Sequence, residues 1–327
     1  MHMKTLITGI TGQDGFYLAD FLLQKGYTVF GLVKNDDAVI KKEDKNVLGQ
    51  CVLLSGDLDN IHSLDEVVAE VVPDEVYNLA AQSSAVISIA TPFTTGQTSG
   101  LGAVALMEAV WKHAPHAKFF QASSSTMFDD RIEGLQNERT PFYPRSPYAI
   151  AKLYAHWMAV YYRQEQNRFA VSGILFNHES PRRSTEFVTR KITHAAAEIK
   201  QGIRHELYLG NLDARRDWGF AGDYVEAMWL TLQQKEAHDY VMASGELHTV
   251  REFVEEAFSY LDLDWRKYVR VDDTLMRRDE RKGQCGDIRK AKKILGWKPK
   301  VTFRELVRMM VDLDMEYIRH GHHSKKK

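Results

Sequence analysis

Thr8-Gly9-Ile10-Thr11-Gly12-Gln13-Asp14-Gly15 closes a short apolar run, Thr5–Thr8, and leads into an apolar-periodic stretch, Phe16–Lys25. Strand, glycine-rich turn and helix in that order open a βαβ unit built for a dinucleotide. The glycines let backbone approach a pyrophosphate at the positive end of a helix. The spacing is G-x-x-G-x-x-G, one residue wider at its start than the usual fingerprint, with the same physics. Gly9, Thr11, Gly12, Gln13, Asp14 and Gly15 are therefore candidate cofactor-binding residues.

The rhythm continues outward from this turn. Thr28–Val33, Val52–Leu54, Glu75–Leu79, Lys118–Ala122 and Ala170–Leu175 read as strands. Ser63–Val71, Ala103–His113 and Tyr148–Arg163 read as the helices between them. Continuous apolar strand runs belong to parallel sheets covered on both faces. The prediction is an α/β fold with a Rossmann-type doubly wound parallel sheet over residues 1–176, to which later segments return. Past residue 177 the alternation breaks, and residues 177–318 are expected to form mainly a smaller, discontinuous substrate-binding lobe. Helices are expected at Val250–Ser259 and Phe303–Tyr317, followed by a frayed tail over 319–327.

Composition narrows the function. The chain has 327 residues, 44% hydrophobic and 27% charged, and 43 Lys and Arg against 44 Asp and Glu leave a formal charge of −1. That balance offers no field for nucleic acid or an anionic membrane, so any anionic ligand must be held locally. The two cysteines, Cys51 and Cys285, exclude a disulfide framework and a cysteine zinc site and fit a reducing compartment. No apolar run reaches membrane-spanning length and no leader is evident, so a cytoplasmic location is expected, with no metal site.

The end of the second strand bears on the nicotinamide cofactor. Val33 is followed by Lys34 and Asn35, with Asp36 and Asp37 beyond. Lys34 favours the 2′-phosphate of NADP, while the aspartates leave NAD open. After the third strand, Asp57 stands where it can cap an adenine amine or serve as an ordinary turn residue. Tyr148 and Lys152, four apart at a helix start, share one face. A neighbouring ammonium is expected to lower the phenol's pKa and let it carry a proton near neutrality. Ser123-Ser124-Ser125 supplies a hydroxyl at the end of the fifth strand. Ser, Tyr and Lys beside a nicotinamide suffice to oxidise an alcohol or reduce a ketone.

These segments resemble the extended short-chain dehydrogenase/reductases, and within them the GDP-mannose 4,6-dehydratase family. The likeness runs through Ile7–Gly15, Tyr77–Ser83, Pro141–Tyr148, Gly173–Arg183, Phe187–Lys191, Leu209–Asn211, Arg216–Trp218 and Leu295–Pro299. It implies a GDP-sugar substrate, with Ser124, Tyr148 and Lys152 as catalytic residues. Leu58, Leu79, Ala80 and Ala81 join the implied cofactor contacts. Ser83, Asn177, Val188, Lys191, Gly210, Arg216, Arg277 and Glu280 join Ser124 as implied substrate contacts. In that scheme Arg216 and Arg277 clamp the diphosphate and Glu280 takes the ribose, although Arg278 departs from the family's proline beside them.

The strip Ser123-Ser124-Ser125-Thr126-Met127-Phe128-Asp129 departs from the family's Ser-Thr-Ser-Glu pattern. Thr126 stands where the family has the glutamate that removes the C5 proton and protonates the leaving 6-hydroxyl, and a threonine hydroxyl has no pKa suited to that work. The strip is similar to that of nucleotide-sugar 4-epimerases. The expectation is C4 oxidation and reduction without 6-deoxygenation, of the 4-epimerase or 4-ketoreductase type. A 4,6-dehydratase with a substitute base, Asp129 or Asp130, and a catalytically silent GDP-sugar-binding subunit stand as alternatives. The resemblance further implies a homodimer through Ala103–His113 and Tyr148–Arg163, with a tetramer open because the Lys34–Gln50 segment is short.

Overall fold

The computed structural model describes residues 2–34, 44–83, 85–129, 131–276 and 283–323. The first half runs β1 (Lys4–Thr8), α1 (Gln13–Gln24), β2 (Thr28–Val33), α2 (Lys45–Leu48), β3 (Val52–Ser55), α3 (Ile61–Val71), β4 (Glu75–Asn78), α4 (Ala85–Ala90), α5 (Pro92–Gly96), α6 (Gly102–His113), β5 (Lys118–Ser124), β6 (Leu135–Gln136), α7 (Pro147–Glu165) and β7 (Ala170–Leu175). The second half runs β8 (Asn177–Glu179), α8 (Val188–Lys200), β9 (Leu207–Leu209), β10 (Arg215–Arg216), β11 (Trp218–Phe220), α9 (Ala221–Leu232), β12 (Tyr240–Met242), β13 (His248–Thr249), α10 (Val250–Ser259), β14 (Val269–Val271), β15 (Cys285–Gly286), α11 (Arg289–Leu295) and α12 (Phe303–His323).

Seven strands form one parallel sheet in the order β12-β7-β5-β4-β1-β2-β3. Neighbouring residues on a strand point to opposite faces. Ile7 and Phe120 accordingly enter a core with Leu18, Tyr224 and Trp297 on one side. Leu6 and Phe119 enter another with Leu64, Leu106 and Val110 on the other. Such two-sided burial is why the strands read as unbroken apolar runs; each large apolar side chain withdrawn from water contributes roughly 1.5–3 kcal/mol. A third core gathers Ile192, Phe253, Val254, Val307 and Met310 from α8, α10 and α12. Among the described residues, three small parallel strand pairs and one antiparallel pair (β10 with β13) accompany the main sheet.

β12 supplies the edge strand of the main sheet and α9 packs on α1, so chain from beyond residue 220 completes the nucleotide-type sheet. α12 runs past Arg319 to His323, with His320 Nδ1 hydrogen-bonded to the Glu316 carbonyl one turn back. The fraying expected from Arg319 therefore does not begin there: no proline interrupts the helix, and Ile318 is still buried against the third core. Among the described residues no helix is long and apolar enough to cross a membrane.

Candidate active site

The C-terminal ends of the central strands converge on two adjoining cavities. The first, of about 730 Å³, is walled by Gly9, Thr11, Gly12, Gln13, Asp14, Gly15, Lys34, Asp57, Leu58, Leu79, Ala80 and Ala81, among others. The structure thus brings every described cofactor candidate of the turn and the strand ends to one wall. Gly9 has φ +70°, and a Cβ there would meet Ala80 N at 2.9 Å. A Cβ on Gly15 would land on Gly9 O and the Ile10 Cα, both backbone. These glycines are needed for close approach, as at a pyrophosphate cradle. Gly12 caps α1 with no side-chain hydrogen bond, leaving the helix's leading N–H groups facing the turn. Lys34 Nζ lies 3.1 Å from Asp57 and 4.0 Å from Asp59. Asn35, Asp36 and Asp37 lie outside the described residues.

The side chains of Gln13 and Asp14 have a second task. Gln13 Nε2 donates to the His178 carbonyl at 3.1 Å, and Ser180 Oγ donates to Gln13 Oε1 at 2.8 Å. Asp14 Oδ2 accepts from His178 Nε2 at 2.8 Å, and the His178 ring stacks on Tyr224. Burial pushes the Asp14 carboxyl up, but the His178 charge and hydrogen bond outweigh it and leave the pKa lowered. Burial opposes charge on His178 too, and Asp14 more than compensates, raising its pKa. A partly buried ion pair thus ties the glycine turn to β8.

The second cavity, of about 310 Å³, shares Asp14, Leu79, Ala81, Ser83 and Arg183 with the first. Its wall adds Ser124, Thr126, Tyr148, Lys152, Asn177, Val188 and Arg216. Ser146 caps α7 by accepting from Ala149 N, and Pro147 occupies the first turn, fixing the helix start that carries Tyr148. Lys152 follows one turn later, 4% exposed, with Nζ donating to the Ala122 carbonyl at 2.8 Å. Burial pushes the Lys152 ammonium down to about 8. Burial pushes the Tyr148 phenol up, opposed by a hydrogen bond with Ser124 and by the Arg183 charge. The expected lowering of the phenol by Lys152 is thus not found: the phenol's desolvation prevails, and the ammonium, 6.0 Å from the ring centre, is engaged by a backbone carbonyl.

Ser124 Oγ lies 2.9 Å from Thr126 Oγ1, a hydroxyl pair at the cavity wall. Asp129 is not part of that wall; Arg131 grips its carboxylate with Nε at 2.8 Å and Nη2 at 2.7 Å. Its pKa is lowered by that hydrogen bonding, which leaves it a poor substitute base. Asp130, Arg277 and Glu280 lie outside the described residues. Lys191 and Gly210 stand off the wall: Lys191 Nζ donates to the Tyr208 carbonyl at 2.8 Å, and Gly210 packs its backbone against Leu275.

The wall also holds residues to which the sequence reading gave no role. Arg183 borders both cavities, 3.2 Å from Glu179 and stacked 3.5 Å over Phe187. Glu186, exposed on the loop before α8, borders the second cavity without an ion-pair partner among the described residues. The pair of arginines after Pro181 was the available signal for the first; nothing in the spacing marked the second.

The family model for GDP-mannose 4,6 dehydratase matches residues 6–310. GDP-mannose 4,6 dehydratase 1 of Arabidopsis thaliana is 50% identical over 323 residues, covering 95% of this chain and 89% of that protein. The structure of RMD from Pseudomonas aeruginosa complexed with NADPH has a TM-score of 0.81 at 24% identity, covering 96% of this chain and 99% of the other. dTDP-glucose 4,6-dehydratase from Bacillus anthracis, solved in complex with NAD, has the same TM-score at 22% identity, with 98% of both chains covered. With that match spanning nearly its whole length, this chain belongs to the GDP-mannose 4,6-dehydratase family.

Proposed function

We propose that this enzyme oxidises and reduces C4 of a GDP-linked hexose or heptose with NADP, as a 4-epimerase or 4-ketoreductase, without expelling the 6-hydroxyl. The observation that carries the reading is the Thr126 hydroxyl, 2.9 Å from Ser124 Oγ, at the position where the resemblance implies a glutamate.

The first cavity fits a nicotinamide dinucleotide, since Gly9 and Gly15 leave a cradle that a Cβ would fill and α1 presents uncapped N–H groups to it. When bound, the nicotinamide accepts a hydride from the sugar and returns it. Tyr148 Oη takes the proton of the C4 hydroxyl, Ser124 Oγ donates to the same oxygen, and the Lys152 ammonium, one turn along α7, offsets part but not all of the phenolate's desolvation. Asn177, Val188, Arg216 and Arg183 face the GDP-sugar side, the two guanidiniums matching phosphate oxygens. Lys34 is two-thirds exposed, and exposed pairs such as Lys34–Asp57 contribute only about 0–1 kcal/mol, so the lysine is free to turn to a 2′-phosphate.

A homodimer is part of the same reading. Of the two helices expected to form it, α6 is spent on the chain's own core, with Ala103, Leu106, Met107 and Val110 buried, whereas α7 presents Ile150, Tyr154, Trp157 and Tyr161 beside Val86, Ile89 and Phe93 of α4 and α5, an exposed apolar face of the kind a second copy covers. Cys51 and Cys285 are both free thiols, which fits a cytoplasmic enzyme.

A second reading, a 4,6-dehydratase, rests on Glu186, a carboxylate of the second cavity with no ion-pair partner among the described residues. Product mass after incubation with NADP and GDP-mannose separates the two. Unchanged mass with a new chromatographic peak supports C4 chemistry. Loss of one water refutes it in favour of the dehydratase, and Glu186→Gln then abolishes that product.

A further inference from the structure

We propose that a third cavity, at the opposite end of the sheet from Tyr148, binds a small phosphorylated anion such as a sugar or nucleoside phosphate. It measures about 650 Å³, within the ~300–1,000 Å³ of small-molecule sites. Its walls are the turn after β6, the C-terminal end of α7, the residues before β12, and α11.

The charges on these walls do not balance. All three carboxylates are engaged within the protein. Asp239 takes both Nη groups of Arg163 at 2.9 Å, Asp287 is gripped by Arg289 at 2.6–2.9 Å, and Glu138 Oε1 accepts from Val241 N at 2.8 Å. The cations are in surplus. Among the described residues, neither the Arg139 guanidinium nor the Lys293 ammonium has an ion-pair partner. Lys290 Nζ donates to the Asp239 carbonyl at 2.7 Å, within electrostatic reach of the Glu138 and Asp239 carboxylates and of the like charges of Arg163 and Arg139. Surplus cations on the wall are relieved by an anion carrying several acceptor oxygens. A phosphate offers nearly two charges and three such oxygens, and the volume leaves room for the molecule it is attached to.

The site is distinct from the catalytic one. Arg163 and Tyr148 are fifteen residues apart on the single helix α7, roughly 22 Å along its axis. A ligand here meets the end of the helix that carries the catalytic pair, without competing for the substrate cavity.

The test is calorimetric titration with inorganic pyrophosphate of protein already saturated with NADP and GDP, comparing the unaltered chain with Arg139→Gln/Lys293→Gln. Both positions are exposed, so the double variant keeps the fold, checked by an unchanged melting temperature. The expected result is one further pyrophosphate bound per chain, at least tenfold more weakly in the variant and more weakly in both as salt rises. Absence of saturable binding, or equal affinity in the two proteins, overturns the proposal. Pyrophosphate entering either of the other cavities gives the second of these results, so a failure of the nucleotide-sugar reading is not mistaken for support.

Discussion

Replacing Lys152 by methionine separates what that residue contributes to chemistry from what it costs the fold. Lys152 is 4% exposed, and its ammonium has been pushed from 10.5 to about 8 by burial. A shift of that size corresponds to about 3 kcal/mol against the charged form at neutral pH. The variant gives up the hydrogen bond to the Ala122 carbonyl, a charge-assisted contact worth about 1.5–3 kcal/mol. Methionine keeps the volume and fills the same channel. The net expectation at pH 7 is a protein as stable as the original or more stable by about 1 kcal/mol, with turnover reduced about 10²–10⁴-fold by loss of the charge beside Tyr148. The pH dependence follows from linkage. Below about 8 the folded chain bears the full cost of the buried charge; between about 8 and 10.5 the unfolded chain binds the extra proton, so stability of the original rises with pH. Any advantage of the variant should therefore be largest below pH 8 and gone near 10.5. Urea denaturation of both cofactor-free proteins at pH 7, 9 and 10.5 measures it. A variant destabilised by more than about 2 kcal/mol at pH 7, or a difference independent of pH, refutes the reasoning.

Thr126→Glu should raise loss of water from GDP-mannose by about 10²–10⁴-fold, while the exposed position keeps the melting temperature close to the original; mass spectrometry of the product decides, and no gain in a folded, NADP-loaded variant removes Thr126 from the elimination site. The Asp14–His178 pair sets an acid-side and a base-side limit to stability. The raised His178 contributes fully below its ordinary 6.5 and is lost as pH climbs through its raised value, while the lowered Asp14 contributes above 3.8 and is lost as pH falls through its lowered value. His178→Asn should lower the melting temperature most between those limits and flatten its decline above pH 6.5, as thermal scans across pH will show. Gly15→Ala forces a methyl group into the Gly9 and Ile10 backbone, so it should cost about 1–3 kcal/mol and abolish detectable NADP binding by calorimetry.

The central sheet was legible because burial on both faces writes itself into sequence as unbroken apolar runs. Strands β2 and β7 and helix α10 begin and end where periodicity and capping residues put them, and Thr249 with Glu252 forms the capping box that starts α10. Short elements escaped. β12 is three residues long, and only its pairing with β7 makes it a strand. The segment holding α4, α5 and the π-turn Gln97–Leu101 has no single period to read. In the site, the glycine turn and the Ser–Tyr–Lys set were visible through spacing, whereas the double duty of Asp14 was not. Its partner His178 is 164 residues away, and no local pattern carries a contact of that separation. The direction of the Tyr148 shift was missed for a related reason: charge can be counted from a sequence, but desolvation depends on what finally covers the group.

The placement of β12 has a consequence for how the protein comes into being. β7 is buried along its whole length, and the strand that covers its outer edge is complete only at Met242. As the chain leaves the ribosome, six strands can assemble while a flat, apolar edge waits for a stretch of polypeptide more than sixty residues downstream. A fragment ending near residue 176 should expose that edge permanently and aggregate by edge-to-edge pairing instead of folding into a free-standing nucleotide-binding unit.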